Sequence, residues 1–195
     1  MQHAKEAKLI RKAQGDSKYF GEIYEKHFDR IFNYVFRRVA DFDLARDITS
    51  EVFMKAYLNL WQFRWKGISI GAWFYRIATN EVNLYFRKNK YKATTVADLG
   101  ANRFLELVDP VSLEAEKAEA ERLLKENEDF IRIQKIIVRM EPKYQEVLAL
   151  RYFEQKPVTE ICEILSKKEG TVKSLISRGL DKIRTLIKLS DKTAT

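Results

Sequence analysis

From Phe20 to Phe36, apolar side chains recur every three or four residues: Phe20, Ile23, Tyr24, Phe28, Ile31, Phe32, Val35 and Phe36, with His27 on the same stripe. That spacing lines one face of a 3.6-residue helix. A strand would alternate with period two. A stripe this long has to be buried against other elements. Only 7 Gly and 3 Pro interrupt the 195 residues, so the turns that punctuate β folds have few residues to build them. The fold class expected is all-α.

The same pattern divides the rest of the chain. Residues 5–40 read as helix, with Leu9, Ile10 and Ala13 as a first short stripe and Asp16 or Ser17 as a cap. Asp41, Phe42 and Asp43 break the period. A helix over about 43–60 follows, with Leu44, Ile48, Val52, Phe53, Ala56, Tyr57 and Leu60 inward and Arg46, Asp47, Ser50, Glu51 and Lys55 outward. Residues 61–71 hold two glycines and read as loop, and a helix over about 72–89 turns Trp73, Ile77, Ala78 and Val82 inward. Residues 90–111 read as linker. Pro110 opens a helical stretch that is acidic at first and apolar from Phe130, and Pro142 opens another helix. A polar tail is expected from Ser190.

Lys156 to Leu180 carries the sharpest motif. A short helix places Ile161, Ile164 and Leu165 inward, a turn follows at Ser166 to Glu169, and a second helix from near Gly170 buries Val172, Leu175 and Ile176. This is the pattern of a DNA-binding helix-turn-helix. The outward face of its second helix carries Thr171, Lys173, Ser174, Ser177 and Arg178, whose hydroxyls and cations suit phosphates and major-groove base edges.

Other chemistry has little to stand on. With one cysteine, Cys162, no internal disulfide forms, and with two histidines a zinc set lacks ligands. Nucleophilic triads and glycine-rich phosphate loops are missing, so neither an enzyme nor a cofactor is expected. No apolar run approaches the ~20 residues of a membrane span and the N-terminal stretch has no apolar signal core, so no membrane insertion and a cytoplasmic location are expected.

Charge is unevenly spread. Residues 1–97 hold 18 Lys/Arg against 10 Asp/Glu, residues 98–129 hold 4 against 10, and residues 130–195 hold 14 against 8. Two basic blocks suit polyanions, and the acidic block between them suits folding back on those faces in the free protein. Ten of the 24 aromatics fall within residues 53–86, interleaved with Arg64, Lys66, Arg76, Arg87 and Lys88. Rings among cations suit single-stranded nucleic acid, although most of these rings must serve the core.

Two basic helical domains, an aromatic and basic strip in the first, an acidic connector and a C-terminal helix-turn-helix together resemble the bacterial sigma factors of the extracytoplasmic-function (ECF) group, the short members of the sigma-70 family. Ala45 to Tyr57 (ARDITSEVFMKAY) is similar to the second conserved helix of the family's domain two, and Trp73 to Asn80 (WFYRIATN) with Arg87 and Lys88 to its third. Tyr152, Phe153, Glu160, Ile161, Ile164, Leu165, Gly170 to Ser174 (GTVKS) and Arg178 match its helix-turn-helix.

The resemblance implies a region 2 helical bundle over 1–92, an acidic and partly helical linker over 93–128, and a region 4 helix-turn-helix domain over 129–195. It implies a promoter-specificity subunit that binds core RNA polymerase through the β′ clamp helices and the β flap, recognises −35 and −10 promoter elements and helps open the DNA. By the same resemblance, Asp47, Ser50, Glu51 and Phe53 would dock on the clamp helices, with Ser50 where the family usually has Gln. Phe63, Arg64, Trp65, Lys66, Arg76, Asn80, Arg87 and Lys88 would meet the −10 element and hold a flipped base. Thr171, Lys173, Ser174, Ser177 and Arg178 would meet the −35 element, with Leu175 where many relatives carry Arg. The linker would thread toward the RNA exit path, and an anti-sigma factor would be a further partner. Two other readings stay open: an autonomous helix-turn-helix regulator, and a helical interaction module that binds no DNA.

Overall fold

The computed structural model describes residues 2–64, 69–89 and 133–193, with the backbone alone at 2–4, 89 and 189–193. The expected linker, the helix beginning at Pro110, and residues Trp65 and Lys66 lie outside the described residues. The elements are α1 (Gln2–Gly15), α2 (Phe20–Val39), α3 (Phe42–Asn59), α4 (Ile70–Asn89), α5 (133–138), α6 (Pro142–Leu148), α7 (Val158–Leu165) and α8 (Glu169–Thr193). Short 3-10 turns at Ser17–Tyr19 and Leu60–Gln62 and a π-helical turn at Ala149–Phe153 complete the path. The structure is all-α, with two helical bundles.

Local chemistry sets the breaks. Asp16 accepts from the Lys18 amide at 3.0 Å, and the expected single helix over 5–40 is divided there into α1 and α2. Asp41 accepts from the Leu44 amide at 2.8 Å and caps α3. Ala40 ends α2 in the left-handed region, at φ 52°. At the other end of the chain, α8 continues to Thr193, past the point where a polar tail was expected.

The first bundle is built on the mutual packing of α2, α3 and α4. Tyr34, Val35, Ala45, Val52, Ala56, Phe74, Ala78 and Val82 are fully buried where the three meet. Each large apolar side chain so buried contributes roughly 1.5–3 kcal/mol. The Tyr34 and Thr79 hydroxyls, 2.8 Å apart, satisfy each other inside this core. The second bundle gathers Ile137, Met140, Tyr144, Val147 and Leu148 against Leu175, Ile176, Leu180, Ile183 and Leu186 of α8.

Two faces differ from the sequence reading. Tyr57 was expected inward but is 45 % exposed, because α3 turns Val52, Phe53 and Ala56 toward α2 and α4 instead. On α4 the buried residues are Ile70, Gly71, Ala72, Phe74, Tyr75, Ala78, Thr79 and Val82, while Trp73 and Ile77 are half-buried. The reason is that α4 is covered on two sides: α2 and α3 pack on one, and the second bundle covers Tyr75 on another. Among the described residues no helix is long and apolar enough to cross a membrane.

His27 lies within this core, beside the backbone of Gly71 and 5.2 Å from the Phe74 ring. Burial, then the charges of Lys26, Arg30 and Lys156, lower its pKa to about 4. Glu6 sits 3.8 Å from Nε2, but it is 3.8 Å from Lys26 Nζ as well, so its pull on an imidazolium is outweighed. The neutral ring is therefore the native form. A depressed histidine pKa means that the unfolded chain binds more protons between about pH 4 and the ordinary histidine value of 6.5. The contribution of His27 is complete above about pH 6.5 and is lost as pH falls toward 4, a change of up to about 3 kcal/mol. Denaturant unfolding at pH 7 and pH 4.5 should show this loss in the wild type, and His27→Gln should reduce the difference between the two pH values.

Candidate nucleic-acid interface

A cleft opens where the end of α3 meets the outer face of α4. Its volume is about 410 Å³, and Lys55, Asn59, Gln62, Phe63, Trp73, Ile77, Asn80 and Glu81 line it. That volume lies within the range of ligand clefts. The apolar wall is the Phe63 and Trp73 pair, with ring centroids 5.1 Å apart. Asn59, Gln62 and Asn80 supply amides, and Lys55 is held by Glu81 at 2.6 Å and by Glu51 at 3.2 Å. The hydrogen bond to Glu81 raises the Lys55 pKa despite partial desolvation, so the ammonium stays charged. The rim is anchored from α1, where Gln14 donates to the carbonyls of Leu60 and Phe63, both at 2.9 Å. Rings for stacking beside amides for edge recognition are the chemistry that holds a base taken out of its stack.

The residues expected to meet single-stranded DNA divide among several places. Phe63 and Asn80 line the cleft, with Phe63 buried except for the side it presents there. Arg64 is exposed at the rim and donates to the Trp61 carbonyl at 2.7 Å. Arg87 and Lys88 are exposed about two turns beyond Asn80, roughly 10 Å along α4. Arg76 turns away from the cleft and donates to the carbonyls of Ile164 and Glu163, at the end of α7. Trp73 and Ile77 were read as core and not as cleft. With Asn80 and Glu81 they recur at three- and four-residue steps, as Lys55, Asn59 and Gln62 do on the facing element.

The outer face of α3 differs in one residue from expectation. Asp47, Ser50 and Glu51 are exposed, and the Ser50 hydroxyl donates back to the Arg46 carbonyl at 2.9 Å. Phe53 is only 3 % exposed, with its ring 4.8 Å from Tyr24 and 5.0 Å from Phe74. It is a core side chain and has no face left for a partner. The outward stripe runs instead through Met54, Leu58 and Trp61, which are 56, 60 and 64 % exposed. Their helical steps from Asp47 and Glu51 give one continuous surface, acidic at one end and apolar at the other.

The helix-turn-helix takes the expected form. Ser166 ends α7 in the left-handed region at φ 53°, and Lys167 donates its amide to the Cys162 carbonyl at 3.0 Å. Val172 is fully buried, and Thr171, Lys173, Ser174, Ser177 and Arg178 are all exposed on α8. Lys173 pairs with Glu169 at 2.6 Å on the surface, which raises its pKa and leaves a full positive charge. Leu175 is half-buried against the second core, so it serves packing. Cys162 is likewise partly buried at the edge of the first core.

Comparison with known proteins bears on both bundles. Residues 23–91 match the family profile described as Sigma-70 region 2, and residues 130–183 match Sigma-70, region 4. The chain is 30 % identical over 180 residues to the ECF RNA polymerase sigma factor SigW of Bacillus subtilis, covering 92 % of this chain and 94 % of that protein. It is 30 % identical over 189 residues to the ECF RNA polymerase sigma factor BldN of Streptomyces coelicolor, covering 95 % of this chain and 66 % of that protein. The fold is similar to that of CnrH, solved in complex with the cytosolic domain of CnrY, with a TM-score of 0.64 at 17 % identity over 94 % of this chain and 97 % of that one. It is also similar to the sigma factor RpoE from Bartonella quintana, solved with the anti-sigma factor NepR, with a TM-score of 0.63 at 18 % identity over 88 and 98 % of the two chains.

The turn before α8 and the packing of α8 on α6 can be tested by two small changes. Ser166→Gly relieves a left-handed backbone that L side chains disfavour, and should raise stability by about 1 kcal/mol. Gly179→Ala would place a methyl 2.9 Å from Leu148 Cδ1, a side chain with no room to move, and should lower stability by about 1–3 kcal/mol. Thermal unfolding of both variants gives the two signs.

Proposed function

The chain belongs to the extracytoplasmic-function group of the sigma-70 family, and we propose that it reads a −35 element with α8 and a −10 element with the α3–α4 cleft. At the coarser level, it is a sigma factor, a subunit that binds core RNA polymerase and recognises promoters, and is not itself an enzyme. Membership displaces the two other readings, an autonomous regulator and an interaction module without DNA.

The observation that carries the finer reading is the cleft. Phe63 and Trp73 offer ring faces, Asn80, Asn59 and Gln62 offer amides, and Lys55 offers a charge, all around one opening. A base of the −10 element extruded from the stack would lie against the rings and be read on its edge by Asn80. Arg64 at the rim and Arg87 and Lys88 further along α4 would track the strand backbone. On α8, Lys173 and Arg178 would take phosphates or guanine edges of the −35 duplex, and Thr171, Ser174 and Ser177 would donate from the same face.

The polymerase would dock along α3. Asp47, Ser50 and Glu51 form the polar part of that surface, Phe53 drops out, and Met54, Leu58 and Trp61 extend it, facing the β′ clamp helices. The second bundle would engage the β flap. An anti-sigma factor is proposed as a further partner, because CnrH and RpoE, which share the fold, were each solved with a partner, CnrY and the anti-sigma factor NepR.

Run-off transcription with purified core polymerase and a library of DNA fragments tests this reading. Stoichiometric binding to core and transcripts that share −35 and −10 elements are expected. Asn80→Ala should weaken use of one −10 position. Lys173→Ala should weaken all promoters alike if Lys173 meets phosphate, or relax one −35 position by about 1–3 kcal/mol if it reads a base edge. Tight binding to duplex DNA without any binding to core would overturn the assignment of these surfaces.

A further inference from the structure

The first helix, α1, lies beside the cleft without lining it. Residues 23–91 match the region 2 profile, so α1, over Gln2–Gly15, precedes the matched residues. Its inner side is fixed. Ile10 and Ala13 are buried, Leu9 packs on the same core, and Gln14 holds the Leu60 and Phe63 carbonyls at the rim. Its outer side is Lys5, Lys8, Arg11 and Lys12, all exposed. The one acid of the helix, Glu6, is turned inward, where it lies 3.8 Å from both Lys26 Nζ and His27 Nε2. Among the described residues no carboxylate pairs with Lys5, Lys8 or Arg11.

These charges act against the helix that carries them. Lys5 and Lys8, Lys8 and Arg11, and Lys8 and Lys12 stand three or four residues apart, so like charges are neighbours along the surface. Lys5 falls in a first turn that holds no acid, where the positive end of the helix dipole disfavours a cation. A bound polyanion reverses both effects. A lipid surface does not fit, because an interfacial helix inserts its apolar face, and that of α1 is held in the core.

The cations also form a path that begins at the cleft. Arg11, Lys8 and Lys5 stand three, six and nine residues before Gln14, which is bonded to the rim. Each step is roughly 4.5 Å along the helix axis. Arg64 is exposed on the same rim and donates to the Trp61 carbonyl at 2.7 Å. Successive phosphates of one strand are about 3.4 Å apart along the axis of B-DNA. A strand held by one base in the cleft can therefore lay its next phosphates against these cations in turn. Residues 5–12 contain no aromatic ring and no amide side chain, so this face suits backbone and not base edges.

Resting on the reading of the cleft given above, we propose that the Lys5, Lys8 and Arg11 face of α1 is a further DNA-contact surface, which takes the phosphates of the single strand where it leaves the cleft past Phe63 and Arg64. The contact adds affinity at every sequence and leaves the choice of base to the cleft. Gln14 keeps the two surfaces in register, since it ties α1 to the backbone that carries Phe63.

The test is the full chain carrying Lys5→Gln, Lys8→Gln and Arg11→Gln together, which removes the charge and keeps good helix formers. Its first readout is the anisotropy of a labelled single-stranded DNA of mixed sequence, titrated with the free chain between about 50 and 200 mM salt. The slope of log affinity on log salt should become shallower by about 0.7 for each cation that meets a phosphate, hence by about 2 in the triple variant. At about 0.1 M salt the affinity should drop about fivefold per cation. The second readout is the complex with core polymerase on forked promoter fragments that carry each base in turn at the flipped −10 position. Affinity should fall alike on all of them, with the order of preference kept. Lys135→Gln with Arg139→Gln removes two exposed cations from the second bundle and should change neither readout. The unfolding midpoint of the triple variant should not fall, because repulsion within α1 is relieved. An unchanged salt slope, an equal effect per charge from the Lys135 and Arg139 pair, a changed base preference, undiminished affinity on the forked fragments, or a lowered midpoint would each overturn the proposal. Absence of core binding in wild type and variant alike would overturn the sigma-factor reading of the cleft, and the salt slope of the free chain would still decide whether α1 holds a strand.

Discussion

The burial of α4 is the constraint on which the other features depend. Phe74, Ala78 and Val82 have no exposed surface because α2 and α3 close over them. Once that face is set, the helical period assigns the rest. Trp73, Ile77 and Asn80 fall on the side that borders the end of α3 and become a cleft wall. Tyr75, Arg76 and Asn83 fall on the side that the second bundle covers. One helix therefore supplies a core, a cleft wall and an interdomain contact, and a rotation of a few tens of degrees would disturb all three.

The electrostatics of the molecule sort by exposure. The i,i+4 pair of Glu169 with Lys173 lies in water on α8, where such pairs contribute little to stability and leave the lysine available to a phosphate. Glu146 and Glu154 sit largely out of water, where an unpaired carboxylate is costly, so each is surrounded by donors. The surface charges stay open to solvent and the buried ones hold position. A basic chain can in this way carry acids at the junction between two faces that would otherwise repel each other.

Helices were the most legible feature of the chain. The stripe from Phe20 to Phe36, the caps at Asp16 and Asp41, Pro142 at a helix start and the turn at Ser166 follow from residues within one or two turns of each other. The outward set on α8 was legible for the same reason, since an amphipathic helix on a small core leaves one face free. The cleft was legible only in part. Asn80 and Phe63 border the cleft, but Arg76 does not, and Trp73 and Ile77 were taken for core. Phe53 was read both ways: the helical period turned it inward, the family resemblance placed it on a docking face, and its neighbours in space put it in the core.

What the sequence by itself determined is the set of helices, their ends, the helix-turn-helix and the family to which the two bundles belong. These rest on local periodicity, capping and motif spacing, which need no knowledge of distant residues. Only the tertiary structure decided which side of α4 is buried, where Lys55, Asn59 and Gln62 meet Trp73 and Asn80, and that Glu146 and Glu154 reach across to the first bundle. The residues so brought together lie 11 to 117 positions apart. Helical period says that a face exists, and packing between distant segments chooses what it meets.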